Sequence, residues 1–352
     1  MSTLSVTKPL YTLPTMVEVN ALPRNGYNVV STFSGCGGTC LGWKMDGYRV
    51  LWASEFIPAA QETYRANHPD TMLDTRDIRA VQSEDIARAV AGRRIDVLEG
   101  SPPCASFSES GAGAKDWGKV KHYSDTKQRT DDLFNEYIRL VRELQPRVFI
   151  AENVQGLVRG VAKGIFQNIL KQLRESGYEV RAQILDACRL GVPQSRQRIF
   201  FVGVRNDMAQ AYHVHPTFPE PLAYYYTIAD VLPHIVATRL SGGRNKWSDA
   251  NRPSPTIVQS DGLISSTTAF FSFAGLIRTR DAEQRKYTID ELKLISSFPA
   301  DFIMTGTYAQ QWERIGRAVP PLMARAIAQV IRREILDKLP KENVEGDAWL
   351  RM

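Results

Sequence analysis

Cys104 and Glu152 are the residues whose settings point most directly to chemistry. Cys104 closes the run Gly100-Ser101-Pro102-Pro103-Cys104, and Glu152 opens Glu152-Asn153-Val154. Each follows a short apolar stretch, Ile95-Asp96-Val97-Leu98 and Val148-Phe149-Ile150, of the kind that forms a buried parallel strand. A thiol is a strong nucleophile even when only a few per cent of it is ionised. The two prolines stiffen the chain leading to it. The polar, glycine-bearing segment beyond is a poor core environment, so Cys104 reads as a nucleophile rather than a small core residue. A carboxyl group at a strand end is either a general acid or base or a helix-cap partner, and Glu152 alone fits both. A third strand, Tyr27-Asn28-Val29-Val30-Ser31, runs into the turn Phe33-Ser34-Gly35-Cys36-Gly37-Gly38. Open α/β sheets bind ligands at the carboxyl ends of their strands. A nucleophile, an acid and a glycine turn at one sheet edge read as a group-transfer enzyme with a covalent intermediate.

The glycine turn lets backbone approach a ligand closely. Its spacing is neither the dinucleotide fingerprint nor a P-loop, and alone it also fits a plain tight turn. Glu55, after the strand Arg49-Val50-Leu51-Trp52-Ala53, stands where an acid usually holds ribose hydroxyls. Asp77-Ile78 follows near a third strand end, and together these suit an adenosine moiety without a pyrophosphate. Arg196 and Arg198, in Gln194-Ser195-Arg196-Gln197-Arg198, share one face of an extended segment. They read either as a solvated edge or as a clamp on a carboxylate, a phosphate or a base carbonyl. The long segment from Ser106 to Arg129 carries Lys115, Lys119, Lys121 and Lys127 with Trp117 and Tyr123 between them. It reads as a basic loop able to close over a nucleic-acid strand, or as a solvated loop.

The elements that must position these residues follow from the pattern. From 28 to 204 apolar strands alternate with amphipathic helices, among them Asp132 to Leu144 and Gly164 to Ser176, which argues for an α/β fold with a mostly parallel sheet covered on both faces. This segment is the catalytic and cofactor-binding domain, completed by 305–340, where Pro320-Pro321 introduces a returning helix. Residues 1–27 read as an irregular N-terminal arm and 341–352 as a tail. Between them 205–304, rich in proline and aromatics and carrying Arg244 and Lys246, reads as a smaller loop-rich domain. The 352 residues carry a net charge of +6, 43% hydrophobic and 23% charged residues, an ordinary soluble composition with a weak preference for a polyanionic partner. No apolar run of about 18 residues and no secretory signal stand out. Cys36, Cys40, Cys104 and Cys188 have neither disulfide-framework density nor metal-site spacing, so no metal is expected and the setting is a reducing cytoplasm.

In their order the motifs resemble those of the cytosine-5 DNA methyltransferases, over roughly residues 28 to 335. The cofactor turn is Phe33 to Gly38 with Leu41-Gly42; Glu55-Phe56 and Asp77-Ile78 match the ribose and adenine contacts. Pro102-Pro103-Cys104 with Phe107-Ser108, Glu152-Asn153-Val154 and Gln194-x-Arg196-x-Arg198 match the catalytic motifs. Arg252-Pro253-Ser254-Pro255-Thr256-Ile257, Phe298-Pro299 and Gly316-x-Ala318-Val319-Pro320-Pro321 follow.

The resemblance implies a Rossmann-like S-adenosylmethionine-dependent fold and a small target-recognition domain. It implies double-stranded DNA as partner, base flipping, a monomer in a bacterial or phage setting at the nucleoid, and a place in restriction-modification. Cys104 would add to carbon 6 of cytosine, Glu152 would hold the N3 and amino edge, and Arg196 and Arg198 would bind the ring carbonyl and position Glu152. The cofactor would lie against Phe33, Ser34, Gly35, Gly37, Gly38, Leu41, Glu55, Phe56, Asp77, Ile78, Pro102, Arg317, Ala318 and Val319. DNA would meet Ser106, Lys119, Lys121, Arg129, Gln194, Arg244 and Lys246.

Two positions depart from the family pattern: Ala105 replaces the usual glutamine and Arg317 the usual asparagine, near the methionine end of the cofactor. A guanidinium beside a sulfonium is repulsive. Arg317 therefore either turns away to a protein carboxylate or a DNA phosphate, or awaits an anion on the donor, as in carboxy-S-adenosylmethionine, giving 5-carboxymethylcytosine. An RNA cytosine-5 methyltransferase and a catalytically silent DNA-binding homologue are the rival functions.

Overall fold

The computed structural model describes residues 8–103, 121–123, 126–128, 132–159, 162–239, 247–259 and 275–341. Cys104, Ser106, Lys119, Arg129, Arg244 and Lys246 lie outside them, and for Lys121 only the backbone is described.

The first half builds β1 (Asn28–Thr32), β2 (Arg49–Ser54), β3 (Met72–Asp74), β4 (Val97–Gly100), a short hairpin of β5 (Lys121–Tyr123) and β6 (Thr126–Gln128), then β7 (Val148–Val154), β8 (Tyr178–Asp186) and β9 (Gln197–Arg205). Seven of these form one sheet in the order β3-β2-β1-β4-β7-β9-β8. Pairing is parallel from β3 to β7, and β9 runs antiparallel between β7 and β8. β1, β4 and most of β7 are buried on both faces, which is why they read as unbroken apolar runs.

Register sets the edge. Thr32 is level with Gly100, and Gly100 with Ala151. The chain therefore leaves the sheet at Phe33 and Ser101 level with Glu152, while β7 continues to Val154 paired with β9.

Helices cover both faces: α1 (Met16–Ala21), α2 (Gly38–Lys44), α3 (Pro58–Asn67), α4 (Ser83–Ala89), α5 (Leu133–Leu144), α6 (Lys163–Glu175) and α7 (Asn206–Tyr212). α5 buries Leu133, Tyr137, Leu140, Val141 and Leu144 at helical spacing. The Tyr137 hydroxyl donates to the Leu98 and Ile150 carbonyls (3.0 and 2.9 Å), tying it to β4 and β7.

The remaining elements are α8 (Ile228–Val231), β10 (Ile235–Arg239), β11 (Ser248–Asp249), β12 (Leu276–Thr279), β13 (Gln284–Lys286), α9 (Ile289–Ile295), α10 (Tyr308–Arg317) and α11 (Pro321–Glu334). Their four strands form an antiparallel sheet, β11-β10-β12-β13.

The structure corrects the expected layout at three points. The arm is not irregular throughout: Thr15 and Glu18 form a capping box that starts α1, whose Met16 and Val19 are buried with Phe298 and Phe302. α7 extends the first core past 204, since Met208, Ala209 and Val214 are buried in it. α10 inserts Trp312 and Ile315 into the core of the second sheet with Ile257, Ile277 and Leu292, so that core reaches beyond 304.

Candidate active site

A cavity of about 430 Å³ opens where the three strand ends meet, within the usual size range for a small-molecule site. Its wall includes Phe33, Ser34, Gly35 and Gly38 from the first turn, Glu55 and Phe56 from the second, and Ile78 and Pro102 from the next two. Glu152, Arg196 and Arg198 come from the catalytic motifs, and Arg317, Ala318 and Val319 from the end of α10.

Glu55 holds two of these turns together. Its carboxylate accepts from the Gly35 and Ile57 amides, both at 2.7 Å. Burial pushes its pKa up, while those amides and the Arg317 cation oppose the rise. Gly35 has φ +56°, and a Cβ there would meet no atom within 4 Å; the turn leaves open space at that point. A Cβ on Gly38 would stand 2.7 Å from the Val319 carbonyl, so α2 closes directly on the Ala318-Val319 segment.

Gly37, Leu41 and Asp77 do not line the cavity. Gly37 faces His68, whose Nε2 would lie 2.2 Å from a Cβ. Leu41 is buried with Cys36, Phe298 and Phe302, where its apolar side chain is best removed from water. Asp77 caps the turn at Ile78–Ala80 and pairs with Arg79 at 2.8 Å. These three support the wall from behind.

At the other end of the cavity Arg198 Nε meets Glu152 Oε1 at 3.0 Å, with both side chains mostly buried. The antiparallel register makes this contact: Glu152 pairs with Phe200 and Val154 with Arg198, so Glu152 and Arg198 are diagonal neighbours on one face. Asn153 points to the other side and donates through Nδ2 to the Pro102 carbonyl at 3.0 Å. One strand thus carries the acid and holds the Pro102-Pro103 segment that leads to Cys104.

Arg196, on the same wall, bonds backbone carbonyls rather than the Glu152 carboxylate. It is buried, and its Nη1 donates to the Gly316 carbonyl at 2.9 Å and to the Ile257 carbonyl at 3.3 Å. Nη2 donates to the Arg317 carbonyl at 3.1 Å. Carbonyls in the last turn of a helix have no partner within it, and Arg196 supplies one for α10. Gln194 is also buried, donating to Ser296 Oγ and accepting from the Ile257 amide. A buried amide must satisfy its hydrogen bonds internally, which corrects its placement as a DNA contact.

Arg317 bonds Glu313 Oε1 through Nε (2.9 Å) and Nη2 (2.8 Å), one turn back on α10.

Sequence reasoning missed Glu99, a carboxyl group inside the buried strand β4. Ser31 Oγ donates to Glu99 Oε1 and lies 2.7 Å from Ser34 Oγ on the cavity wall. Burial pushes the Glu99 pKa up to about 8; the Ser31 and Cys40 hydrogen bonds oppose this and the Glu152 charge adds to it. Its signal was a charged residue in an otherwise apolar strand. Cys36 and Cys40 are buried, with thiols pushed up to about 12 mainly by burial, as core cysteines are. Among the described residues no group of three or more His, Cys, Asp or Glu is placed to hold a metal ion, and no helix is long and apolar enough to cross a membrane.

The model of the C-5 cytosine-specific DNA methylase family matches residues 27–270 and 241–333. The chain belongs to that family. The methylase is 35% identical over 351 residues to the Type II methyltransferase M.FnuDI of Fusobacterium nucleatum, covering 88% of this chain and 95% of that protein. It is 30% identical over 335 residues to the Type II methyltransferase M1.HphI of Haemophilus parahaemolyticus, covering 86% of each. A putative DNA modification methyltransferase encoded within an E. coli prophage shares the fold at a TM-score of 0.64 and 22% identity, over 88% of this chain and 99% of that one. Dnmt2 methyltransferase of S. pombe does so at 0.59 and 18%, over 87% and 98%. The methylase is a DNA cytosine-5 methyltransferase with the Rossmann-like fold of its neighbours.

Proposed function

We propose that the methylase modifies carbon 5 of a cytosine flipped out of double-stranded DNA, through a covalent adduct on Cys104. The observation that carries this reading is the junction at β7. Glu152 is paired with Arg198, and its neighbour Asn153 holds the proline segment that ends at Cys104. An acid oriented by an arginine, on the strand that also ties down the proline segment leading to a thiol in sequence, suits attack on a pyrimidine ring.

Cys104 as thiolate adds to carbon 6. Glu152 hydrogen-bonds the N3 and amino edge and holds the proton there while carbon 5 becomes nucleophilic. Arg198 fixes Glu152 and donates to the ring carbonyl. After transfer, loss of the carbon 5 proton expels Cys104. Extruding the base costs a few kcal/mol, and the lysine-rich sequence of residues 106–129 suits it to hold the opened duplex.

The residues present fit S-adenosylmethionine, which when bound supplies an electrophilic methyl group on a sulfonium. The open space beside Gly35, the apolar surfaces of Phe33, Phe56 and Ile78, and the Glu55 carboxylate would hold its nucleoside.

We assign target recognition to the second sheet and its core, with the adjoining segment 205–304. We also infer that the enzyme acts in the cytoplasm, as a monomer, beside a restriction endonuclease; the names of the Type II relatives support the last of these. The intact Glu152–Arg198 pair favours an active enzyme over a silent DNA-binding homologue.

The test is trapping on duplex DNA containing 5-fluorocytosine. The wild type should form a stable adduct, Cys104→Ser none, and Glu152→Gln should lose most of the rate while keeping cofactor affinity. An adduct formed equally by Cys104→Ser would overturn the nucleophile. Faster methyl transfer to tRNA than to duplex DNA would overturn the substrate.

A further inference from the structure

Five arginines line the cavity: Arg76, Arg196, Arg198, Arg314 and Arg317. Among the described residues three carboxylates on the wall face them, those of Glu55, Glu152 and Glu313. Arg76 is met from outside the cavity by Asp74 and Asp85, at 2.7 and 3.0 Å. Arg198 takes Glu152 and Arg317 takes Glu313. Arg196 bonds backbone carbonyls, and Arg314 Nη2 donates to the Thr305 carbonyl. Glu55 already accepts from two amides. With Asp74 and Asp85 included, five carboxylates among the described residues meet these five guanidiniums.

S-adenosylmethionine carries a sulfonium and an ammonium against one carboxylate, a net charge of +1. The Arg317 guanidinium on the wall repels that net positive charge. A donor with one further carboxylate is neutral overall and better matched.

Arg317 is placed to read that carboxylate. Its guanidinium charge acts on Glu55 at the nucleoside end of the cavity. Its carbonyl is bonded to Arg196, which adjoins Arg198 at the base end. The transferred carbon must lie between those two ends. Arg317 Nε and Nη2 both reach Glu313 Oε1, with the two side chains 34% and 16% exposed. A single pair that keeps partial contact with water is worth about 1 kcal/mol, less than a bidentate pair with a bound carboxylate.

We propose that Arg317 selects a donor bearing a carboxylate on the transferred carbon, carboxy-S-adenosylmethionine, so that the methylase delivers a carboxymethyl group. This rests on the cytosine-5 reading above. The step balances as methyl transfer does. Carbon 5 bonds to the CH₂ carbon as the carbon–sulfur bond breaks, and the sulfur keeps that electron pair and leaves as neutral S-adenosylhomocysteine. The carbon 5 proton passes to a base, and the Cys104 thiolate departs. The product is 5-carboxymethylcytosine.

The experiment uses the full chain, unmodified plasmid DNA and the two donors at equal concentration, with nucleosides read by mass spectrometry. Donor binding is measured separately by calorimetry. The wild type should bind the carboxylated donor at least tenfold more tightly and form mainly 5-carboxymethylcytosine. Arg317→Asn should reverse both preferences, and Arg317→Lys should keep part of them. Methylation without carboxymethylation, or binding preferences unmoved by Arg317→Asn, would overturn the assignment of Arg317 and leave the cytosine-5 reading standing. No modification by either donor would overturn that reading as well. If Arg317→Asn fails to fold, the wild-type calorimetry decides alone: equal affinities refute the proposal.

Discussion

Replacing Arg196 by methionine separates two roles that the sequence cannot tell apart. If the guanidinium served the cytosine ring, its loss would slow the reaction and leave stability alone. In the structure it serves three carbonyls instead, those of Ile257, Gly316 and Arg317. Methionine fills similar volume but donates nothing. A hydrogen bond from a charged donor is worth about 1.5–3 kcal/mol. The three share one group and will not add in full, so a loss of about 3–5 kcal/mol is expected, the range for breaking a buried charged network. At about 2.1 cal/mol/K per residue of unfolding entropy, the 352-residue chain should melt roughly 4–7 °C lower. Differential scanning calorimetry measures this directly. Donor affinity should fall too, because Gly316, Arg317, Ala318 and Val319 line the cavity. Arg196→Lys, which keeps a charged donor, should recover part of both. A melting temperature within a degree of wild type, together with a large loss of kcat, would refute the clamp and restore the base-contact role.

Glu99→Gln should raise stability at alkaline pH. The folded chain holds the Glu99 proton up to about pH 8, whereas the unfolded chain releases it near the ordinary 4.5. Between those values the unfolded state binds fewer protons, so wild-type stability falls as pH rises. The full displacement corresponds to about 5 kcal/mol at most, and relaxation should leave a few. Melting curves of the two proteins should coincide near pH 5 and separate by pH 8.5; parallel curves would show that Glu99 does not titrate in this window. Neutralising Lys119 and Lys121 together should flatten the fall of DNA affinity with salt. The log–log slope should drop by roughly 0.9 for each phosphate that is no longer neutralised, as read by fluorescence anisotropy. An unchanged slope would place the DNA-binding surface elsewhere.

The strands and the turns after them were legible because parallel strands buried on both faces must be apolar throughout. The candidate site residues stand at or just beyond the ends of such apolar runs. That logic gave the α/β fold, the turn at Phe33, the acids Glu55 and Glu152, and the proline segment before Cys104. The six-residue α1 was missed because its stability comes from burying Met16 and Val19 against Phe298 and Phe302, nearly 300 residues away. Gln194 and Arg196 look as polar in sequence as Arg198. Their burial depends on which backbone happens to pack over them, and that backbone comes from residues 257, 296 and 316–317.

The sequence by itself therefore determined the family and the sheet, because these follow from local periodicity and motif order, and it put forward the acid and the thiol. Tertiary structure alone decided how the two arginines divide their work. The β7–β9 register sets Arg198 on Glu152, while the end of α10 presents unmatched carbonyls to Arg196 and turns the side chain of Arg317 toward Glu313 on the cavity wall. Hydrogen bonds of that kind depend on distance in space, and spacing along the chain carries no record of it.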